Sequence, residues 1–301
     1  MALKRKAHLL HAAHYERQLM RARERWLQRS QADGAALFDL DWPNILAAQA
    51  WAKAHLDVDP DAAVLCSELG EIAPFLIDLR LSPDEQMAWL ETALRAARHN
   101  GDRAAEGRHN GNLGNAYAEA GRYAEARRSY IEHHQIASEL GDQHGAANAL
   151  GNLGNMDFAV DDHDGALVHF EVALRMHLAQ GDAASAATTH VNLGAVHSAR
   201  ENWPAAIDHL TQARDSLHAL GDTRGEAICL GNLGRVHLAN GSADQALACY
   251  EQRLALARRL ANRRDEATAL LQMAEAHDVL GDVAAAASAR QRAAAVGGDG
   301  L

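Results

Sequence analysis

Asparagine recurs at one position every 40 residues through the middle of this chain, a spacing that suggests a repeated binding surface. The four residues are Asn112, Asn152, Asn192 and Asn232. A side-chain amide carries two N–H donors and a carbonyl acceptor, so a row of amides can hold the main chain of an extended peptide. Asparagine is a poor helix former, so its return at identical positions needs a reason. The alternative reason is packing, in which each amide hydrogen-bonds a neighbouring helix and fixes the stacking.

Residues that could bind metal or catalyse a reaction lack the spacing that those chemistries need. His8, His11 and His14 share roughly one side of a helix, but no His-Glu-x-x-His motif and no Cys/His pairing accompany them. Residues 161–164 (Asp-Asp-His-Asp) lack the length and ligand order of a calcium loop and indicate a solvated turn. No Ser/His/Asp or Cys/His arrangement stands out. We therefore expect no catalytic residue, no metal site and no cofactor.

Composition and cysteine usage favour a cytoplasmic protein. Hydrophobic residues make up 48% of the 301 residues and aromatic residues only 5%, which favours close-packed helices rich in alanine. No apolar run of about 18 residues predicts a membrane span, and no secretory signal is visible. Cys66, Cys229 and Cys249 share no metal or redox spacing, so we expect reduced, buried thiols.

The elements that must position the asparagines are copies of one 40-residue unit. A Gly-Asn-Leu-Gly segment, a Gly-Asp pair and a small alanine all keep the same step. The segments begin at 111, 151, 191, 231 and 271, the pairs at 101, 141, 181, 221 and 261, and the alanines stand at 126, 166, 206, 246 and 286. The fifth copies fade to Leu-Gln-Met-Ala and Ala-Asn. Three registers with one period indicate internal repeats.

Each unit predicts a pair of helices, roughly 103–120 and 122–140 in the first copy, because apolar residues follow helical spacing. Gly141 suits the left-handed residue that ends a helix, and Asp142 can cap the next helix. The turn inside the unit carries glycine at 121, 241 and 281, whereas positions 161 and 201 carry Asp and Glu. One such hairpin cannot bury its apolar face alone, so the copies must stack.

These residues resemble the tetratricopeptide repeat (TPR) family, whose pattern here is Leu113-Gly114, Tyr117, Ala126 and Tyr130. Later copies depart from the aromatic at position 117, and the residues there are Asp157, His197, His237 and His277. We expect those histidines to be packing residues. The 40-residue form that contains asparagine looks like the repeats of cell-polarity adaptors, kinesin light chains and many bacterial regulators. The resemblance implies an all-α fold, a right-handed superhelical α-solenoid of stacked antiparallel helix pairs.

In this family the first helices of stacked repeats line a concave groove, so the resemblance implies a protein or peptide partner there. The groove columns would contain, besides the four asparagines, Arg108, Asn115, Asn148, Asn155, Phe158, Thr188, Arg235 and Leu238. Glycines 111, 151 and 231 would leave room for a ligand backbone, or alternatively would allow close contact between helices. Arg108 and Arg235 are isolated, so we expect no carboxylate clamp and no chaperone tail as ligand.

The N-terminal third is less regular and is predicted as a separate layer. We expect a helix over 1–30, a break near Gly34, a second helix from Pro43 to about His55, and an end or kink at Pro74. The predicted division is a helical cap at 1–60, a degenerate repeat at 61–100, five repeats at about 101–140, 141–180, 181–220, 221–260 and 261–296, and a disordered tail at 297–301.

A second resemblance covers residues 25–48, which contain Arg-Trp-Leu and then Phe-Asp-Leu-Asp-Trp-Pro-Asn-Ile-Leu-Ala-Ala. This segment is similar to the one that follows the nucleotide-binding part of bacterial STAND-type (NB-ARC) signalling ATPases, in which the TPR array is the sensor. No Gly-x4-Gly-Lys-Ser/Thr motif occurs in this chain, so nothing in it can cradle a triphosphate in that way. The alternatives are a non-enzymatic scaffold or sensor, and a regulatory module of such an ATPase.

Charge is distributed unevenly along the chain. The net charge is −11, but residues 1–30 carry eight basic and two acidic residues. A basic arm could bind nucleic acid. The alternative is an amphipathic helix whose arginines are solvated or pair with the acidic remainder, and the lack of interleaved aromatic residues favours it. We expect no membrane partner, and the tryptophan-rich N-terminal layer is where self-association would occur.

Overall fold

The computed structural model describes residues 2–28, 31–72, 77 and 79–297. Within these ranges the chain forms 14 α-helices and no β-strand. The helices are α1 (Ala2–Gln28), α2 (Gln31–His55), α3 (Pro60–Ile72), α4 (Pro83–Asn100), α5 (Arg103–Glu119), α6 (Tyr123–Leu140), α7 (Gln143–Ala159), α8 (His163–Ala179), α9 (Ala183–Ala199), α10 (Trp203–Leu220), α11 (Thr223–Ala239), α12 (Ala243–Arg259), α13 (Arg263–Val279) and α14 (Val283–Gly297).

The helices form two compact units, Met1–Met156 and Asp157–Leu301. Helices α1–α6 and most of α7 belong to the first unit, and α8–α14 belong to the second. The division into a cap, a degenerate repeat and five repeats stays a prediction. Gly297 ends α14, so it is not part of a disordered tail, while residues 298–301 and Pro74 lie outside the described residues.

The predicted stop and start signals end and begin the helices from α4 onward. Gly141 ends α6 with φ at 71°, and Asp102 caps α5 by accepting a hydrogen bond of 2.9 Å from the Ala105 N–H. Asp161, Glu201 and Ala261 adopt the same left-handed conformation with φ of 61°, 56° and 50°. That conformation costs about 1 kcal/mol without glycine, so the geometry of the turn outweighs the local preference of these residues.

In the first and fourth repeats the two helices approach closely because the glycine of the Leu-Gly pair has no Cβ. A Cβ on Gly114 would lie 2.5 Å from the Tyr130 ring, and a Cβ on Gly234 would lie 2.2 Å from the Tyr250 ring. Tyr250 is fully buried at that contact. The alanines at 126, 166, 206, 246 and 286 are all fully buried, which is consistent with the same close approach. Glycine and alanine therefore set the distance between the helices.

The predicted start of the second helix in the N-terminal layer was wrong. Helix α2 begins at Gln31, not at Pro43, so Pro43 lies inside the helix. Phe38, Ile45 and Ala52 are fully buried on α2 at helical spacing. That apolar stripe continues through Pro43, and its packing outweighs the hydrogen bond that proline cannot donate.

Gly34 was expected in a break and lies instead inside α2, where the helices α1 and α2 meet. A Cβ on Gly34 would lie 2.7 Å from the backbone of Trp26. The glycine is therefore needed for close contact between two helices, which its sequence neighbours do not reveal. The predicted helix over 1–30 is described as Ala2–Gln28.

Three histidines cluster between α9 and α10 in the second unit. The Nδ1 atoms of His190 and His209 lie 2.9 Å apart, so one ring donates and the other accepts. His197 stacks on His209 with ring centroids 5.4 Å apart. Burial lowers the pKa of all three rings, and the neighbouring histidine lowers the pKa of His197 and His209 further. Asp208, Glu171 and Arg200 are the other charged groups that act on the cluster.

Gly234→Ala should lower the stability of the second unit. Alanine favours a helix by about 1 kcal/mol over glycine, but the added methyl meets the buried Tyr250 ring. Forcing an extra carbon into a packed core costs about 1–3 kcal/mol, so we expect a net loss in the free energy of unfolding. Urea denaturation monitored by circular dichroism measures this change. An increase in stability would show that the ring moves aside at little cost.

The histidine cluster should make stability depend on pH. The folded-state pKa values lie below the unfolded values, so the folded state binds fewer protons, and stability falls as the pH drops below about 6.5. His209→Gln removes one of these groups and its repulsion of His197. Thermal unfolding between pH 7 and pH 5 should therefore show a shallower slope for this variant. His14→Gln, at an exposed histidine of α1, serves as the control, and equal slopes for both variants would contradict the prediction.

Candidate functional site

In the first unit, helices α5 and α7 present three of the predicted amides with unused hydrogen-bonding capacity. Asn148 and Asn152 are half-buried and lie one turn apart on α7, and Asn112 is half-buried on α5. Among the described residues, none of these three side chains has a hydrogen-bond partner. Each amide can therefore hydrogen-bond a ligand without first breaking a bond inside the protein.

The glycines beside the asparagines have two different environments. A Cβ on Gly111 would lie 2.9 Å from His133 Nδ1, and a Cβ on Gly231 would lie 2.5 Å from Arg253 Nη1. These two glycines thus make room for side chains of the second helix. A Cβ on Gly151 would meet no described atom within 4 Å, so the surface there is open. Close contact between helices explains why positions 111 and 231 carry glycine. For Gly151 the interpretation remains that it leaves space for a ligand.

His133 on α6 lies between two first helices of the first unit. Its ring packs over Gly111 of α5, and its Nε2 would lie 3.3 Å from a Cβ on Gly145 of α7. Its Nδ1 is buried and has no hydrogen-bond partner among the described residues. Burial lowers the pKa of His133, because it disfavours the charged ring.

Arg253 occupies the equivalent position of α12 in the second unit. It crosses Gly231 of α11, forms an ion pair with Asp265, and donates from Nη1 to Gln272 Oε1 at 2.7 Å. Both acceptors lie on α13, so one arginine connects three helices. This position carries alanine at 173, 213 and 293. The repeat pattern did not mark His133 and Arg253 as site residues, and the sequence signal for them is their pairing with glycine at 111 and 231.

The other predicted residues are already engaged within the chain. Arg108 pairs with Glu71 at 2.8 Å, Asn115 accepts a hydrogen bond of 2.8 Å from Tyr130, and Asn232 accepts one of 2.5 Å from Arg235. Asn155 and Asn192 also have interactions within the chain, and Phe158 packs against the core that contains Phe170 and Leu193. The four repeated asparagines are therefore not equivalent, because Asn112 and Asn152 differ from Asn192 and Asn232.

The basic N-terminal stretch is partly paired with acidic residues of its own unit. Arg5 contacts Asp59 at 2.6 Å and Asp61 at 2.7 Å. The hydrogen bond from Arg5 lowers the pKa of Asp59. This pairing agrees with the interpretation of α1 as a helix that packs on an acidic body. No helix in the described part of the chain combines the length and the apolar character that a membrane crossing requires.

The three cysteines carry free thiols, as the sequence predicted. Cys66 and Cys229 are buried and Cys249 is half-buried. Burial raises the pKa of Cys66 and of Cys229 to about 11. The thiols are therefore protonated near neutral pH and are poor nucleophiles.

The repeat region matches a known family. Residues 105–179 and 185–259 both match the tetratricopeptide repeat model. A comparison with curated protein sequences finds no significant match.

Solved structures of low sequence identity share the fold. The signal transduction ATPase with numerous domains (STAND) from Pyrococcus horikoshii, which has a TPR sensor, is 13% identical with a TM-score of 0.69. The match covers 86% of this chain and 40% of that protein. BtubC (BKLC) from P. vanneervenii is 19% identical with a TM-score of 0.65, over 72% of this chain and 91% of that one.

A third structure was solved with a peptide. It is the Rap conjugation gene regulator of plasmid pLS20 in complex with a Phr peptide, which is 16% identical with a TM-score of 0.55. The match covers 78% of this chain and 74% of that one. At these identities the three structures establish the fold alone. The helices form antiparallel pairs with close contact at Leu-Gly, and residues 105–179 and 185–259 match the family model. The chain therefore belongs to the tetratricopeptide repeat family.

Proposed function

We propose that this protein is a non-enzymatic interaction scaffold that binds an extended segment of a protein partner on the first helices of its repeats. One observation carries the proposal. The surface over Gly151 is open, and it is flanked by Asn148 and Asn152, whose amides have no partner among the described residues. The solved complex of a Rap regulator with its peptide supports peptide binding on this fold.

The proposed contact is one between amides and peptide backbone. Missing a Cβ, Gly151 lets a ligand backbone approach the helix surface. Asn148 and Asn152 lie on the same side of α7 and can each donate to a carbonyl and accept from an N–H. A net contribution of about 1 kcal/mol for each hydrogen bond gives modest affinity that does not depend on the ligand's side chains. Sequence preference then has to come from neighbouring side chains.

Of the four repeated asparagines, only Asn112 and Asn152, both in the first unit, are proposed to contact the ligand. Asn112 and Asn152 have amides free for a ligand, whereas Asn232 accepts from Arg235 and orients that arginine. Arg108, held by Glu71, lies one turn from Asn112 on α5. In this proposal Asn232 and Asn115 serve packing, which was the alternative for the whole row.

A second candidate function is the sensor of a STAND-type signalling ATPase. The likeness to the STAND protein from Pyrococcus horikoshii favours it, since it covers 86% of this chain. In that case partner binding on the repeats would release an ATPase. A nucleotide-binding domain encoded in the same reading frame, or in a neighbouring gene whose product co-purifies with this chain, would support this candidate. Absence of any such domain and of any such partner would exclude it.

Gly151→Ala should separate binding from stability. The methyl meets no atom, and alanine favours the helix by about 1 kcal/mol, so the variant should be as stable as the parent or more stable. The methyl also fills the space proposed for the ligand. A peptide selected from a random-peptide display library on the parent chain should therefore bind this variant at least about tenfold more weakly, a loss of about 1.4 kcal/mol. Fluorescence anisotropy and thermal unfolding measure the two effects. Unchanged affinity together with higher stability would refute the proposed contact.

Asn152→Ala should weaken binding of the same selected peptide by about 1 kcal/mol, because one hydrogen bond to its main chain is lost. Asn240→Ala is a matched control, since Asn240 is exposed at the end of α11 and lies outside the predicted columns. Both variants should unfold near the parent's midpoint. A large loss of stability in Asn152→Ala with no change in affinity would assign this residue to packing.

A further inference from the structure

The second unit contains a pocket of about 290 Å³ between α11, α12 and α13. Its size is at the lower end for ligand pockets, so it accommodates one or two side chains and not a whole helix. Its walls combine charged and apolar groups. The lining residues that matter here are Arg224, Ile228, Leu260, Asn262 and Arg264, together with the ion pair of Arg253 and Asp265.

The pocket has uncompensated positive charge. Arg253 is neutralised by Asp265 and held in place, with only 13% of its side chain exposed. Arg224 and Arg264 are exposed, and neither forms an ion pair or side-chain hydrogen bond with any described residue. Other arginines of this unit do find carboxylates, as Arg258 does with Glu266 at 2.8 Å. Two unpaired cations thus share one pocket in a protein of net charge −11.

Helix electrostatics disfavour this arrangement unless an anion is present. Arg224 is the second residue of α11, and Arg264 is the second residue of α13. A cation in the first turn faces the positive end of the helix dipole, which costs about 0.3–1 kcal/mol. The two arginines are 40 residues apart, so equivalent positions of consecutive repeats carry the same charge beside one pocket. An anion between them would offset both the dipole term and the mutual repulsion.

The helix cap at the pocket is neutral, whereas the equivalent caps of the other repeats are negatively charged. A neutral cap favours binding of an anion. The first-helix caps at 102, 142, 182 and 222 are aspartates, and each accepts a backbone hydrogen bond. The cap of α13, which lines the pocket, is Asn262, and it accepts from the Asp265 N–H at 3.1 Å. Asparagine and aspartate cap helices equally well. The change therefore preserves the helix start and removes one negative charge from the pocket.

We propose that this pocket binds an acidic side chain, Asp or Glu, of the partner segment. The guanidinium groups of Arg224 and Arg264 contact the carboxylate, and charge-assisted bonds of this kind are about twice as strong as neutral ones. Ile228 and Leu260, which are 50% and 43% exposed, contact the aliphatic part of the ligand. Ile228 is in the same register column as Arg108 and Asn148, so the inference rests on the proposed function and adds a preference for acidic segments.

The test uses a pair of labelled synthetic peptides. One alternates leucine with glutamate, and the other has glutamine in place of every glutamate. At low salt the glutamate peptide should bind the parent chain at least about tenfold more tightly than the glutamine peptide. Arg224→Gln and Arg264→Gln should each reduce that preference by about tenfold, since each removes a charge-assisted contact.

Asn262→Asp is the sharpest variant, because it keeps the cap and restores the carboxylate of the other repeats. It should weaken binding of the glutamate peptide and leave the thermal unfolding midpoint unchanged. Arg292→Gln is the matched control, since Arg292 is an exposed arginine of the same unit that does not line the pocket. Its affinity should stay within about twofold of the parent.

Three outcomes would overturn the inference. These are equal affinity for the two peptides, an equal loss in Arg292→Gln, which would indicate diffuse attraction, and binding of a phosphoserine peptide without the glutamate peptide. A preference for glutamate that depends on Arg224 but ignores Gly151→Ala and Asn152→Ala would support the pocket and reject the proposed amide contact. The reverse pattern would support the amide contact and reject the pocket.

Discussion

The packing of the first, third and fourth repeats depends on a missing carbon atom at their Leu-Gly pairs. At Gly114 and Gly234 an aromatic ring of the second helix lies where a Cβ would stand, and at Gly194 the side chain of Leu210 does so. With buried alanine on the facing helix, this contact sets the separation of the hairpin. A core assembled from alanine and a few large side chains has little spare volume, so the contact cannot be relaxed without loss of packing.

About one turn earlier on the first helix, a second glycine also makes room for a large side chain of the second helix, but only in some repeats. Gly111 and Gly231 are covered by His133 and Arg253, which reach from the second helix toward the first helix of the following repeat. Gly151 has no such cover. One repeat is therefore left with an open stretch of helix surface beside Asn148 and Asn152. The binding proposal follows from this local exception to the repeat.

The charged residues also follow a general pattern, arginine paired with carboxylate, that has a local exception. Most arginines with described contacts meet a carboxylate, and these pairs connect α1 to the α2–α3 turn and α12 to α13. Exposed pairs of this kind contribute little stability, about 0–1 kcal/mol, so their main effect is to leave few cations uncompensated. The pocket at Arg224 and Arg264 differs, since neither arginine has an ion-pair partner among the described residues and the neutral Asn262 stands where the other first-helix caps are aspartates. Positive charge is thus concentrated on a small part of an acidic protein.

The sequence by itself determined the 40-residue period, the helix pairs, their glycine and aspartate boundaries and the TPR family, because each depends on residues close together in the chain. It placed the start of α2 wrongly, since Pro43 and Gly34 are local signals and the buried stripe at Phe38 and Ile45 is a tertiary one. Only the tertiary structure distinguished Asn112 and Asn152 from Asn232, because a hydrogen-bond partner depends on which side chain comes within about 3 Å. Identical residues in identical registers therefore have different environments, because the side chains around them differ from one repeat to the next.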